Sequence, residues 1–220
     1  MKKLIIAFLA MSFGSFSIAS AELGVNLGVS GQMGVFAASG QENEDKTVSK
    51  SSTTTLVGYS SVFLEKPLGS RLTIGIDYVP ESLASETANE TRIDNGASAA
   101  QKVQADFEDL TTIYATLNIT DNFFIKGGMV TVDVITNETL ATGSTYGNAS
   151  LDGTLYGAGY NYNFDNGMFL RAEGNVMMMD GVTLTSTAAA ATRPGTAQKN
   201  FVKLDNLNGA NAKVSIGKSF

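Results

Sequence analysis

The connections between apolar-alternating stretches in this chain are sorted by length, and the sorting constrains the fold more than any motif does. Alternating stretches read as strands over Leu23–Val35, Thr53–Glu65, Leu72–Tyr78, Lys102–Ile119, Phe123–Ile135, Leu151–Phe164, Met168–Met178 and Asn200–Phe220. The connections after the first, third, fifth and seventh are long and polar: Gln41–Ser52, Pro80–Ala100, Thr136–Ala149 and Thr185–Gln198. Those after the second, fourth and sixth are short turns at Lys66–Ser70, Thr120–Asn122 and Asp165–Gly167, rich in Pro, Gly, Asn and Asp. A soluble sandwich has no reason to sort its loops by parity. A closed up-and-down barrel that crosses a membrane does, with short turns on one side and long loops on the other. The expected fold is therefore all-β: an eight-stranded antiparallel up-and-down transmembrane barrel.

Side-chain alternation supports it, because successive side chains of a strand point to opposite faces. Leu23, Val25, Leu27, Val29, Met33 and Val35 share one face, against Asn26, Gly28, Ser30, Gln32 and Gly34. Leu72, Ile74, Ile76 and Tyr78 oppose Thr73, Gly75 and Asp77, while the two faces of 53–65 are poorly distinguished. In the last strand Ala212, Val214, Ile216 and Phe220 oppose Asn211, Lys213, Ser215, Gly217 and Ser219, and Asn206–Gly209 is expected to kink or bulge it. Ending on an aromatic of the apolar face resembles the terminal assembly signal of bacterial outer-membrane barrels, carried here by Val214, Ile216 and Phe220. Lys218 departs from that pattern, and its long stem can reach the interface.

At the other end, Lys2 and Lys3 precede the apolar run Leu4–Phe13 and the small-residue stretch Ala19-Ser20-Ala21. A charged n-region, a short h-region and an A-x-A site read as a secretory signal peptide over 1–21, cut between Ala21 and Glu22. The run is too short to span a bilayer as a helix. Residues 22–220 then form the barrel domain. Removing Lys2 and Lys3 takes the basic count from 15 to 13 against 21 acids, a net charge of −8, and an acidic chain has no general attraction for nucleic acid.

The chain contains no cysteine and no histidine. Disulfides, thiol catalysis and cysteine-ligated metals are excluded, as is every mechanism with a histidine general base. The acidic run Gln41–Asp45 lacks the spacing of a calcium loop. The expectation is no cofactor, no metal and no enzymatic activity.

The passage YGAGYNYNFDNGMFLRAEGN, residues 156–175, carries a Gly-rich strand with tyrosines on one face, a short turn, and Arg171 and Glu173 alternating on the other. Over the whole mature length the chain resembles the small eight-stranded outer-membrane barrels of the OmpA and OmpX type. The peptidoglycan-binding part of the OmpA role is not expected to carry over, since no such domain is read after the barrel. Asp106, Glu108, Lys126, Arg171 and Glu173 fall on faces assigned to the lumen, where a narrow interior can pair charges that lipid cannot accept. The resemblance implies an outer-membrane protein with a structural and surface-display role in adhesion or interaction, a low-conductance porin-like channel being the alternative. Its implied partners are outer-membrane lipids and lipopolysaccharide, the barrel-assembly machinery, and an extracellular ligand or phage.

Overall fold

The computed structural model describes residues 24–44, 47–85, 87–94, 97–139, 145–187 and 201–220. Eleven strands follow in chain order: β1 (Asn26–Glu44), β2 (Thr47–Leu68), β3 (Leu72–Tyr78), β4 (Leu83–Ala84), β5 (Ala88–Asp94), β6 (Ala97–Asn118), β7 (Phe123–Thr139), β8 (Ala149–Asn163), β9 (Met168–Met179), β10 (Val182–Thr185) and β11 (Phe201–Ser219). β3, β4 and β5 lie end to end along β6, and β9 and β10 lie end to end along β11. The wall therefore has eight staves. Each is antiparallel to its neighbours, and β1 against β11 closes the ring from Asn26↔Ser219 to Asn43↔Phe201. Closure leaves no open sheet edge at membrane depth, which lipid would not tolerate.

Alternation sorts the side chains. Along β9, Phe169, Arg171, Glu173, Asn175, Met177 and Met179 are buried, while Leu170, Val176 and Met178 face outward. The outer surface carries Val29, Met33, Leu64, Leu72, Ile74, Ile76, Ile113, Leu117, Ile125, Met129, Val214 and Ile216, all exposed. Met129, 71 % exposed, lies on β7 one residue from Val130, which is 0 % exposed. An apolar belt of this extent around a closed barrel is a lipid-facing surface. At the turn end Tyr160, Tyr162, Phe164 and Phe123 add aromatic side chains to it, Tyr162 and Phe164 meeting edge to face at 5.1 Å. The tight turns fall where expected, with Gly69 at φ 79° and Gly167 at φ 80°, a conformation that favours glycine.

Two expectations about the strands are corrected. The segments 41–52 and 80–100, read as loops, are mostly hairpin: β1 runs to Glu44, β2 starts at Thr47, and β5 pairs with β6 from Asp94↔Ala97. These segments carry no apolar–polar period, which is what marks a strand with one apolar face. Of the expected loops 136–149 and 185–198, residues 140–144 and 188–198 lie outside the described residues, as does the signal-peptide segment. The bulge in the last strand falls at Asp205, ahead of the Asn206–Gly209 expected for it: Ser39 pairs Asn206, and Gly40 pairs Leu204.

A second bulge matters more. On β6 Glu108 pairs Asp133 and Thr111 pairs Thr131, so Asp109 and Leu110 together oppose one residue of β7. Asp109 takes φ 55°, tolerable for aspartate, and accepts from the Tyr78 hydroxyl at 2.6 Å. One inserted residue flips the facing of everything beyond it. Below the bulge Thr112, Tyr114 and Thr116 are buried; above it Phe107 and Ala105 pack inward.

Candidate functional site

The inner faces of β2, β3, β7, β9 and β11 bring six charged side chains into the lower lumen: Glu65, Asp77 and Glu173, with Lys126, Arg171 and Lys213. Three acids meet three bases, and every one is buried. Arg171 grips Glu65 with both terminal nitrogens, at 2.5 and 3.0 Å, the fork geometry in which guanidinium and carboxylate match best. Its Nε donates to Asn161 at 2.7 Å. Glu65 also accepts from the Tyr114 hydroxyl at 2.8 Å and from the Asn26 amide at 3.1 Å. Lys126 Nζ donates to Glu173 at 2.9 Å and stands 3.8 Å from the centre of the Tyr114 ring. Lys213 Nζ pairs with Asp77, which also accepts from Ser61 Oγ at 3.0 Å.

Around Arg171 sit the rings of Phe63, Phe124 and Phe169, with centres 5.5, 5.2 and 5.1 Å from the guanidinium carbon. The fit is set by glycines on the neighbouring staves. Phe63 pairs across from Gly28, Phe124 from Gly159 and Phe169 from Gly217. A Cβ on those glycines would come within 2.2, 2.5 and 2.3 Å of the ring opposite. Each inward aromatic lies flat over a residue with no side chain, a pairing that seals the sheet.

Above the ion pairs is a layer of amides. Asn175 Nδ2 donates to Asn211 Oδ1 at 2.9 Å, and Asn211 Nδ2 donates to Gln32 at 2.8 Å and Tyr59 at 3.0 Å. Higher still the lumen turns apolar. Val130, Val132, Val134, Leu151, Leu155, Met177, Met179 and Leu207 form one buried cluster, and Phe36, Phe107, Leu110, Val182 and Leu204 pack on it half-buried. The interior thus has a charged floor toward the short turns and an apolar deck toward the long hairpins.

Of the residues singled out from sequence, Lys126, Arg171 and Glu173 meet in the floor, Arg171 standing 3.9 Å from Glu173. Asp106 and Glu108 do not. The β6 bulge turns both to the outer surface: Glu108 is exposed, and Asp106 accepts from Gln104 and Asn137 there, at 2.9 and 2.7 Å. Strict alternation through Asp109 put them on the wrong face. Glu65, Asp77 and Lys213 complete the floor without having been named. Asp77 and Lys213 were readable, each sitting on the polar face of a clean alternation; Glu65 was masked by the indistinct pattern of its strand. Val214 and Ile216 face outward, and the Phe220 amide donates to the Val25 carbonyl at 2.9 Å, tying the carboxyl end to the start of the wall. Ala19, Ala21 and Glu22 lie outside the described residues. Among the described residues no group of three acidic side chains is placed to hold a metal.

No family model and no curated protein matches the chain. Solved structures do. The outer membrane protein OprG from Pseudomonas aeruginosa aligns with a TM-score of 0.54 at 11% identity, covering 91% of this chain and 98% of that one. Ail, the attachment invasion locus protein of Yersinia pestis, solved with the heparin analogue sucrose octasulfate, aligns at 0.41 and 11% identity over 88% and 99%. The likeness shows a small eight-stranded outer-membrane β-barrel and does not single out the OmpA or OmpX type. With its apolar belt, the chain is an outer-membrane protein in contact with membrane lipid. The expectation that it is not an enzyme is corrected. The similar structures include the outer membrane protease OmpT from Escherichia coli, at TM-score 0.44 and 9% identity over 94% of this chain and 100% of that one. That likeness is one of fold and establishes no activity, and the missing histidine removes only mechanisms that need one.

Proposed function

We propose that this barrel is a structural element of the outer membrane that holds its long hairpins and loops above the bilayer for contact with extracellular partners. One observation carries the reading: the two ends of the barrel are unequal. The turns after β2, β6 and β8 are tight, whereas β1–β2 and β5–β6 continue as hairpins far past the apolar belt. Rigid scaffolds with long projecting segments on one face are where binding resides. A lumen crossed by a buried charged floor and a buried apolar deck favours this over solute passage.

The partners that fit are lipopolysaccharide chains beside the hairpins and an extracellular surface or phage at their tips. Delivery through a secretory signal over 1–21, cut between Ala21 and Glu22, and recognition of Val214, Ile216 and Phe220 by the barrel-assembly machinery complete the reading. The test replaces 40–52, 80–100, 136–149 and 185–198 with short Gly-Ser turns. Cells with the trimmed barrel are expected to lose attachment or phage sensitivity while the barrel still assembles. Unchanged attachment and phage sensitivity would leave only the structural role. A stable conductance of the untrimmed barrel in planar bilayers would favour the porin-like alternative instead.

A further inference from the structure

Three methionines of the wall point into lipid. Met129, Met33 and Met178 are 71, 59 and 48% exposed, whereas Met177 and Met179 are buried in the deck. A thioether is apolar enough for acyl chains and soft enough to be oxidised. The surroundings of these sulfurs differ in a way that matters once oxygen is added. Met129 and Met178 stand on either side of Thr154, which is the direct partner of both in the register. Thr154 is exposed and alternates with the buried Leu155, so it shares their outward face. Side chains directly opposite on neighbouring strands are about 5 Å apart at Cβ, close enough to interact. Among the described residues the Thr154 hydroxyl has no hydrogen-bond partner. Met33 has no such neighbour. Gly58 and Ala212 lie opposite it, and Ser60, on the diagonal, gives its hydroxyl to Glu81 at 3.0 Å.

We propose that Met129 and Met178 are oxidation sites, and that the Thr154 hydroxyl between them holds the product. The oxidant class is hypohalous acid, which is small and neutral and so enters the acyl layer. With hypochlorous acid the thioether gains one oxygen and gives up two electrons in the net reaction. An S–O bond forms, the O–Cl bond breaks, chlorine leaves as chloride and one proton passes to water. The methionine sulfoxide so formed is polar. Its oxygen is an acceptor, and an acceptor among acyl chains without a donor costs free energy. Thr154 supplies that donor to Met129 and Met178, and Asn208, opposite Met178 on β11, offers a second to that residue. Neither strand beside Met33 supplies one. The wall then tolerates oxidation beside Thr154 and is weakened by it at Met33.

The test isolates Met129 by the volume-conserving swaps Met33→Leu, Met168→Leu and Met178→Leu. The barrel is refolded in vesicles of saturated lipid, which consume no oxidant, with heat-modified mobility as the check on folding. It is treated with hypochlorous acid and mapped by peptide mass. Oxygen is expected on Met129 at least about tenfold faster than on the buried Met177 and Met179. Urea midpoints are then compared before and after oxidation for Thr154, Thr154→Ser and Thr154→Val, with Thr154→Ala in place of valine if that variant fails to fold. Oxidation is expected to lower the midpoint clearly with valine and little with threonine or serine. The S=O stretching band, which a merely structural role of Thr154 would not move, is expected at lower frequency with threonine or serine than with valine. Protection of Met129 in the folded barrel overturns the proposal. So does oxidation of Met177 as fast as Met129, or a midpoint shift and band that do not depend on residue 154.

Discussion

The floor of the lumen and the hairpins above the bilayer are built from the same strands under opposite rules. On β9 and β11 the inward charged groups have partners two or three staves away, as Arg171 has in Glu65 and Lys213 in Asp77. On the upper parts of β1 and β2 the ladder continues to Glu44↔Thr47, yet polar side chains such as Ser51, Ser52, Thr53 and Thr54 stand exposed. The first region is held by side-chain pairing in a space that water hardly reaches. The second is held by backbone hydrogen bonds and β propensity. A mutation should therefore cost much below and little above.

The sharpest contrast comes from breaking the floor. Arg171→Ala leaves Glu65 buried with its charge uncompensated, and removing one partner of a buried pair costs about 3 to 5 kcal/mol. Urea unfolding in lipid vesicles, followed by loss of heat-modified mobility, should show that loss; a cost near zero would mean that water reaches Glu65 freely. The deck comes next. Leu155→Ala removes buried methyl groups among Val130, Met177 and their neighbours, for an expected loss of about 2 to 5 kcal/mol in the same assay. At the other extreme, Glu108→Gln changes an exposed side chain on the outer surface, with an expected shift within about 0.5 kcal/mol. A large loss at Glu108 would restore it to the lumen and break the comparison.

The difference also explains which parts were legible in the sequence. Where one face of a strand meets lipid and the other meets the lumen, the chain alternates, and Leu72 to Tyr78 and Met168 to Met178 could be read residue by residue. Gln41–Glu44, Thr47–Ser52 and Ala88–Asp94 carry no apolar–polar alternation, and these strands passed as loops. The floor was half visible for the same reason. Arg171 and Glu173 stand on clean alternation, whereas Glu65 lies in a strand whose outward face includes Ser60 and Gly58 and so hides the contrast. The misplacement of Asp106 and Glu108 has another cause. A bulge is one extra residue, and aspartate in a left-handed conformation leaves no mark that sets it apart from any other polar residue in a strand. The glycines opposite Phe63, Phe124 and Phe169 left a signal that only pairing makes readable, since Gly28 and Phe63 become neighbours only once the register is known.

The whole account rests on which way the side chains of the wall point, and β6 tests that most directly because it crosses both regions. Spin labels placed singly from 105 to 117, in the barrel refolded in lipid vesicles, report access to oxygen in the lipid and to a polar relaxation agent in water. The account predicts oxygen access at 113, 115 and 117, protection at 112, 114 and 116, and a reversal of phase at Asp109–Leu110. Beyond it 106 and 108 should be open to the aqueous agent, with 105 and 107 protected. A single unbroken alternation through 105–117 would contradict the bulge, and polar access at 113 and 115 would contradict the membrane-spanning barrel itself.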